Sequence, residues 1–476
     1  MLFRRFIRPI SVPAAIVLTI FAAVKLAILL RYGALSAPDT GGYQDVANAM
    51  LHDPRFWISI PDWKSDALPM YAFRPIGYPL LLMLVQSWTV IVLIQIVLSL
   101  TVAWLMCRLV LEATASPALA AAAAAFYLLG QSILWDASVL SDTLYCALFN
   151  TVMFKLLRAG YLRYSLSASV CGLLGLAWGY SIWVRENGLY LTILPIFLLL
   201  LLPTLSVRER LSRLGVFLLP IALMVAAYAG WNHVPTGETF VGITGTANYL
   251  RPVFEIARAG RVDPFADGSV LSQTVKANAT DFSYPEQVEI LGRFQRQTGL
   301  DALEIQRIAQ QKLVDTIRRW PLDYAMATVR NLDPIRLGPM MFDPLSALND
   351  FYQLGIPPYQ RIIPGTGAKS FKSLAALHQY GWLVVAVTSL ILQVLSAILF
   401  LYALGWTLVK GARAIAARRW PVPEPALALR AMGIFMLLAV SFAMIHSEAR
   451  HLMPAEPAFL LATAIAVGRR PASALG

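Results

Sequence analysis

Charge is scarce in this chain. Only 14% of its 476 residues are Asp, Glu, Lys or Arg against 58% hydrophobic, too apolar for a soluble globular protein and too long for one compact core. Cysteine is scarce as well: Cys107, Cys146 and Cys171 all fall in or beside apolar segments, so disulfides cannot staple the one large polar region, and the redox compartment is not readable. Short alternating strands of barrel type are missing, and so are internal repeats of soluble or inverted-topology kind. The order His-Glu-x-x-His is missing too: His446, Glu448 and His451 stand in another order with no third partner nearby, which makes a zinc site the weaker reading. A net charge of +12 would suit nucleic acid, but the Lys and Arg are spread among hydrophobic segments rather than collected in a basic domain, so no nucleic-acid partner is expected.

What is present is a succession of apolar runs, each long enough to cross hydrocarbon as a helix, from residue 12 to residue 468. Spans are expected near 12–31, 76–107, 117–134, 140–158, 166–183, 188–203, 212–231, 380–408, 428–446 and 454–468. The class is therefore an all-α integral membrane protein. The second span is long enough to be tilted or broken near Gln86-Ser87, and the Ala run at 119–125 offers a smooth face for close helix packing. The N-terminus has the charge pattern of a signal sequence, but its apolar run is longer than a usual signal core and reads as an uncleaved first helix.

Basic residues alternate with these spans. Arg4, Arg5 and Arg8, then Arg108, then Lys155, Arg158 and Arg163, then Arg208, Arg210 and Arg213, then Lys410, Arg413, Arg418 and Arg419, then Arg469 and Arg470 all fall on one side. By the positive-inside rule that side is cytoplasmic, with both termini inside. Three regions follow: a membrane module over 1–231 with a first outer loop at 32–75, an outer subdomain over 232–379, and C-terminal spans over 380–476. The first outer loop combines an amphipathic DVANAMLHD with several aromatics and prolines, as short interfacial helices would. In the outer subdomain, LDALEIQRIAQQKLVDTIRRW has helical periodicity, and Pro321 is expected to stop it.

The informative pattern is sidedness. Asp39 and Tyr43 in PDTGGY, Arg74 in FRPIGYP, Asp142 in LSDTLY, Arg185 and Glu186 in WVREN, and His446, Glu448 and Arg450 in HSEARHLMP all fall at outer ends of different spans, where they can converge on one outward cavity. Each has a plainer reading. Asp39 sits in good turn chemistry, Asp142 follows a serine where a helix begins, and arginines at an interface commonly reach lipid phosphates. Lys25, inside the first span, is expected to snorkel upward.

At PDTGGY, FRPIGYPLLL, LSDTLYCALF, WVRENGLYL and EARHLMPAEPAFLL the chain resembles the GT-C superfamily of polytopic glycosyltransferases, closest to the branch of bacterial protein mannosyltransferases and the lipid A aminoarabinose transferase. The resemblance runs from the first helix to about residue 195 and returns at 428–468; the large loop does not share it. It implies a GT-C-like bundle of about ten transmembrane helices in the cell inner (plasma) membrane, with the active site facing the periplasm or exterior. It further implies a polyprenyl-phosphate-linked sugar donor and a glycan, lipid or protein acceptor at the bilayer surface. The first-loop acid of the family falls on Asp39, with Tyr43 as donor-phosphate neighbour. The basic residue before the second helix falls on Arg74, the second-loop acid on Asp142, and the late basic residue on Arg450. Many relatives carry two adjacent acids in the first loop, and here Thr40 follows Asp39.

The implied chemistry is an inverting displacement. A carboxylate takes the acceptor's proton, here Asp39, and guanidinium groups receive the charge of the departing phosphate, here Arg74, Arg185 and Arg450 with Tyr43 and His446. Asp142, Glu186 and Glu448 orient the acceptor or the basic groups. No cofactor is required; Asp39, Asp142 and Glu186 would offer oxygen ligands to a divalent metal if their loops met, and the metal-free version is favoured. An O-antigen-ligase-like transferase of lipid-pyrophosphate glycans and a transporter or flippase for an amphipathic anion are the alternatives.

Overall fold

The computed structural model describes residues 11–332 apart from 38, 61–62, 131–134, 162–165, 203–204, 281 and 283, together with part of 391–416 and with 425–444 and 453–468. Among these residues there is no strand; an isolated parallel bridge joins Leu35 and Ser138. The helices used below are α1 (Val12–Tyr32), α2 (Thr40–His52), α3 (Gly77–Val85), α4 (Trp88–Thr114), α5 (Pro117–Leu129), α6 (Ser141–Tyr161), α7 (Ala168–Val184), α8 (Asn187–Leu191), α9 (Ile193–Leu200), α10 (Val207–Thr236), α11 (Gly245–Arg258), α12 (Val270–Asn278), α13 (Tyr284–Thr298), α14 (Ala302–Arg319), α15 (Pro321–Asn331), α16 (Pro425–Met444) and α17 (Glu456–Gly468). Three of them, α1, α4 and α10, are long and apolar enough to cross a membrane, which makes this a membrane-associated helical protein. The expected span 380–408 falls mostly outside the described residues, as do His446, Glu448 and Arg450.

Local chemistry sets the boundaries. The hydroxyls of Ser87, Ser116 and Ser167 accept from the backbone N–H three residues on and start α4, α5 and α7. Reciprocal capping boxes, Ser206 with Glu209 and Asp301 with Glu304, start α10 and α14. The second expected span is broken where the sequence placed the weak point: Gln86 adopts a left-handed conformation (φ 53°) that ends α3, and Ser87 begins α4. Pro321 ends the periodic run as expected, but it also opens a further helix, α15, because proline at a first helical position lacks an N–H that the helix would not use.

The alanine run lets α5 approach α4 closely. Ala120 and Ala124 are fully buried beside Val102, Ala103, Met106 and Val110, and the Cys107 thiol reaches the Ala120 carbonyl at 3.4 Å. This core continues through Phe149 and Val152 of α6, Trp178 of α7 and Leu461 of α17. Gly175 allows α7 and α10 to touch, since a Cβ there would lie 2.2 Å from the Phe217 carbonyl oxygen. A second core is built from Leu250 and Phe254 of α11, Val275 of α12, Ile290 and Phe294 of α13 and Ile305 and Ala309 of α14.

Lys25 corrects an expectation. It does not snorkel: it is 2% exposed, pairs with Asp136 and donates to the Ser99 hydroxyl at 3.1 Å. Asp136 also accepts from the Thr143 hydroxyl at 2.9 Å, so the pair clamps the turn before α6 onto α1 and α4. Burial of both ions is tolerable because each also has a neutral hydrogen-bond partner.

Candidate functional site

The site starts with the turn that carries Asp39. Thr40, fully buried, accepts the Ala37 N–H at 2.8 Å and donates to the Val139 carbonyl at 2.9 Å. Two backbone bonds between Leu35 and Ala137 and between Val139 and Leu35, both 2.9 Å, run alongside. Gln95, buried on α4, takes its hydroxyl bond from Tyr78 at 2.8 Å and donates to the carbonyls of Asp136 (3.0 Å) and Ser138 (2.7 Å). The turns before α2 and before α6 are thus one unit, and it holds Asp39 and Asp142 near each other.

Two ion pairs sit on that unit. Asp39 Oδ1 accepts from Arg74 Nη2 at 2.8 Å, and Asp142 Oδ1 accepts from Arg185 Nη1 at 2.6 Å. They are linked through Tyr43, whose hydroxyl lies 2.9 Å from that of Ser141, the residue before Asp142. Tyr43 stands in the first turn of α2, four residues from Asp39, so both face the same side. The Arg74 guanidinium lies over the rings of Tyr43 (5.2 Å) and Phe73 (5.0 Å), and Arg185 lies 6.0 Å from the Tyr145 ring centre, contacts that favour a cation. The second glycine of PDTGGY has a steric reason: a Cβ at Gly42 would come within 3.0 Å of Arg74 Nε. That Nε has no hydrogen-bond acceptor among the described residues.

Asp39 lies in the turn before α2, as its sequence suggests, and each acid also has a partner of its own. The Asp39 side chain makes no cap bond to α2, and Asp142, only 1% exposed, is committed to Arg185. Exposure separates the two: Asp39 is 22% exposed and open to solvent, whereas Asp142 is not.

A strap, residues 240–244, runs close to both arginines. Asn232, buried at the end of α10, donates to the carbonyls of Phe240 (2.9 Å) and Val241 (3.1 Å). From there the Ile243 N–H reaches the Ala72 carbonyl at 3.4 Å, two residues before Arg74, and the Thr244 hydroxyl donates to Glu186, next to Arg185. Glu186 is partly buried, its Oε1 is shielded from solvent and has no partner among the described residues, and burial pushes its carboxyl from the ordinary 4.5 up to about 7 against the opposing effect of the Thr244 bond. The strap therefore touches the chain beside each arginine.

Asp39, Tyr43, Arg74, Asp142 and Arg185 are brought together, and Glu186 is one residue away but turned to the strap. Among the described residues no group of three or more His, Cys, Asp or Glu is arranged around a common point as metal ligands are. Thr40, Ser141, Gln95, Gly242 and the Lys25–Asp136 pair were not singled out as parts of the site by the sequence. Thr40 alone gave a signal, as the residue standing where a second acid was expected. No protein-family model matches the chain, and no curated protein matches it.

Proposed function

We propose that this chain is a membrane glycosyltransferase of the GT-C kind, moving a single sugar from a polyprenyl-phosphate donor to an acceptor on the outer face of the inner (plasma) membrane, within a bundle of about ten spans. The observation that carries the reading is the pair of carboxylate–guanidinium contacts, Asp39–Arg74 and Asp142–Arg185, joined through Tyr43 and Ser141. A transferase of this type needs one accessible carboxylate and cations that stay charged for the leaving phosphate, and both are present in one cluster.

In this reading the donor phosphate competes with Asp39 for Arg74, and the freed Asp39 carboxylate accepts the proton of the acceptor hydroxyl. The acceptor oxygen bonds to the anomeric carbon as the bond from that carbon to the phosphate oxygen breaks, with inversion. Polyprenyl phosphate leaves with the bonding electron pair, and Arg74 and Arg185 meet its charge through forked N–H donors. Asp142, buried against Arg185, orients that guanidinium, and the Tyr43 hydroxyl offers a donor to phosphate. Arg450 keeps the donor-phosphate role that the resemblance implies for it, with His446 beside it as a further donor-phosphate group and Glu448 as an orienting group.

Incubating the purified chain with a panel of polyprenyl-phosphate sugars and membrane extract, followed by mass analysis, tests the proposal: one added sugar and released polyprenyl phosphate are expected. Use of pyrophosphate-linked oligosaccharide alone would move the chain to the ligase class. The buried Lys25–Asp136 pair is also a feature that carriers use, and uptake into vesicles without chemical change would move it there.

A further inference from the structure

The second core is hollow on one side. A cavity of about 530 Å³ opens where α11 and α12 end, within the roughly 300–1,000 Å³ of small-molecule sites. No residue of the arginine cluster lines it. Ala257 and Gly260 at the end of α11 and Ala279 past the end of α12 leave the space, because each offers at most a methyl group.

Its floor is aromatic. Phe265, 2% exposed, and Phe282, half-buried, lie nearly parallel at 10° with ring centres 6.4 Å apart, and Phe254 meets both edge-on at 5.5 and 5.6 Å. Phe282 is held there against strain. Its φ of 54° lies in the left-handed region, which costs a bulky side chain about 1–3 kcal/mol. Glu286 sustains the turn: its carboxylate accepts the N–H groups of Thr280 and Phe282, the latter at 2.7 Å, and the Thr280 hydroxyl at 2.7 Å. Glycine would fit that angle without strain, so it is the ring, part of the cavity wall, that the turn secures.

The rim is polar and exposed. Asp263 Oδ2 accepts from Lys276 Nζ at 2.8 Å and its Oδ1 from the Phe265 N–H at 2.9 Å; the Lys276 bond holds the carboxyl below the ordinary carboxylate range. Arg261, beside them, makes a weak 3.9 Å contact from Nη1 to the Met326 sulfur. Two helices end here, and the last carbonyls of a helix have no partner within it, so the backbone adds acceptors to a carboxylate and two cations.

A ligand that suits these walls has an apolar face and an edge of groups that both donate and accept. A saccharide ring has that pattern, since its C–H face packs on an aromatic ring and its hydroxyls bond to charged side chains and carbonyls. A purely apolar ligand would desolvate the Asp263–Lys276 pair without replacing its water, and a simple anion would meet a carboxylate and two helix C-termini, which disfavour it.

We propose that this cavity binds a saccharide ring, with Phe282, backed by Phe265, as its apolar platform and Asp263, Lys276 and Arg261 holding its hydroxyls. That this sugar belongs to the acceptor rests on the transferase reading; that the cavity holds a sugar does not.

The test uses the full chain in a detergent without sugar headgroups, with methyl glycosides of mannose, glucose and glucuronic acid as probes, read by saturation-transfer NMR. Transfer should be strongest at the C–H protons of one ring face, which reports stacking. Ala279→Leu, which fills the cavity, and Phe282→Gly, which relieves the strained angle but removes the ring, should each weaken binding about tenfold. Lys276→Gln, on the exposed rim, should weaken it by a smaller factor and decides the matter if either of those variants fails to fold. Asp39→Asn, at the arginine cluster, should leave it unchanged. No binding by the wild type, undiminished binding in Ala279→Leu or Lys276→Gln, or loss of binding in Asp39→Asn would overturn the site, and so would displacement of the glycosides by acetate, which would assign the cavity to any small anion. A chain that binds the glycosides yet transfers no sugar keeps this site and loses the transferase reading, and one that transfers sugar without this binding does the reverse.

Discussion

Glu186 Oε1 fills the space where a side chain on Gly242 would begin: a Cβ built there would lie 1.6 Å from it. The glycine is needed for this close approach and not for its backbone angles. The carboxyl group is thereby wedged between the strap and the segment that carries Arg185.

Gly242→Ala should therefore cost more than its one carbon suggests. The methyl must displace Glu186, break its bond to Thr244 and move the strap, a change of about 1–3 kcal/mol if the core yields as overpacked cores do. Gly230→Ala, on α10 with open space around its Cβ position, should be neutral or stabilising by up to about 1 kcal/mol. Thermal unfolding of the two variants in the same detergent checks the contrast; equal effects would mean that the fit does not matter.

The raised carboxyl of Glu186 makes stability depend on pH. Between 4.5 and about 7 the folded chain holds this proton and the unfolded chain does not, so stability from this group is full at low pH and falls as pH rises through that window. The whole change is roughly 3 kcal/mol, from 1.36 kcal/mol per pH unit. Glu186→Gln should flatten that part of the profile. Unfolding midpoints of both proteins from pH 4 to pH 8 decide it.

Lys25→Met should destabilise by about 3–5 kcal/mol, because it leaves Asp136 charged and buried without its counter-ion. Adding Asp136→Leu should recover most of the loss, since an apolar pair of similar size has no charge to desolvate. If the double variant is as unstable as the sum of the single ones, the clamp is not acting as an ion pair.

Much of the frame was legible because its causes are local. The weak point at Gln86-Ser87 and the stop at Pro321 show in the sequence, and Tyr43 falls one turn from Asp39. The partners were not legible, because they are distant in sequence. Lys25 meets Asp136 across 111 residues, and Glu186 meets Thr244 across 58. Nothing in the local sequence marks Gly242 as the glycine that must yield to a carboxylate. Sidedness grouped Asp39, Arg74, Asp142 and Arg185, but it could not tell which acid holds which arginine, because both acids and both arginines stand at the same expected level.

Thr40 stands where a second acid was expected, and its two bonds give a reason for the difference. Thr40→Val removes a donor and an acceptor from a buried junction and should cost about 1–3 kcal/mol, with a loss of transfer activity as Asp39 shifts. Thr40→Ser keeps the hydroxyl and should retain most activity. A serine variant as impaired as the valine variant would show that the hydrogen bonds alone do not hold the junction.

The central claim is that Asp39 removes the acceptor's proton, and the direct measurement is the transfer rate of Asp39→Asn with a polyprenyl-phosphate sugar. Asparagine keeps the shape and can still contact Arg74 through its carbonyl, but it cannot take a proton. The account predicts a loss of about 10²–10⁴-fold in kcat with a smaller change in donor KM. A variant that transfers sugar at the wild-type rate would contradict it.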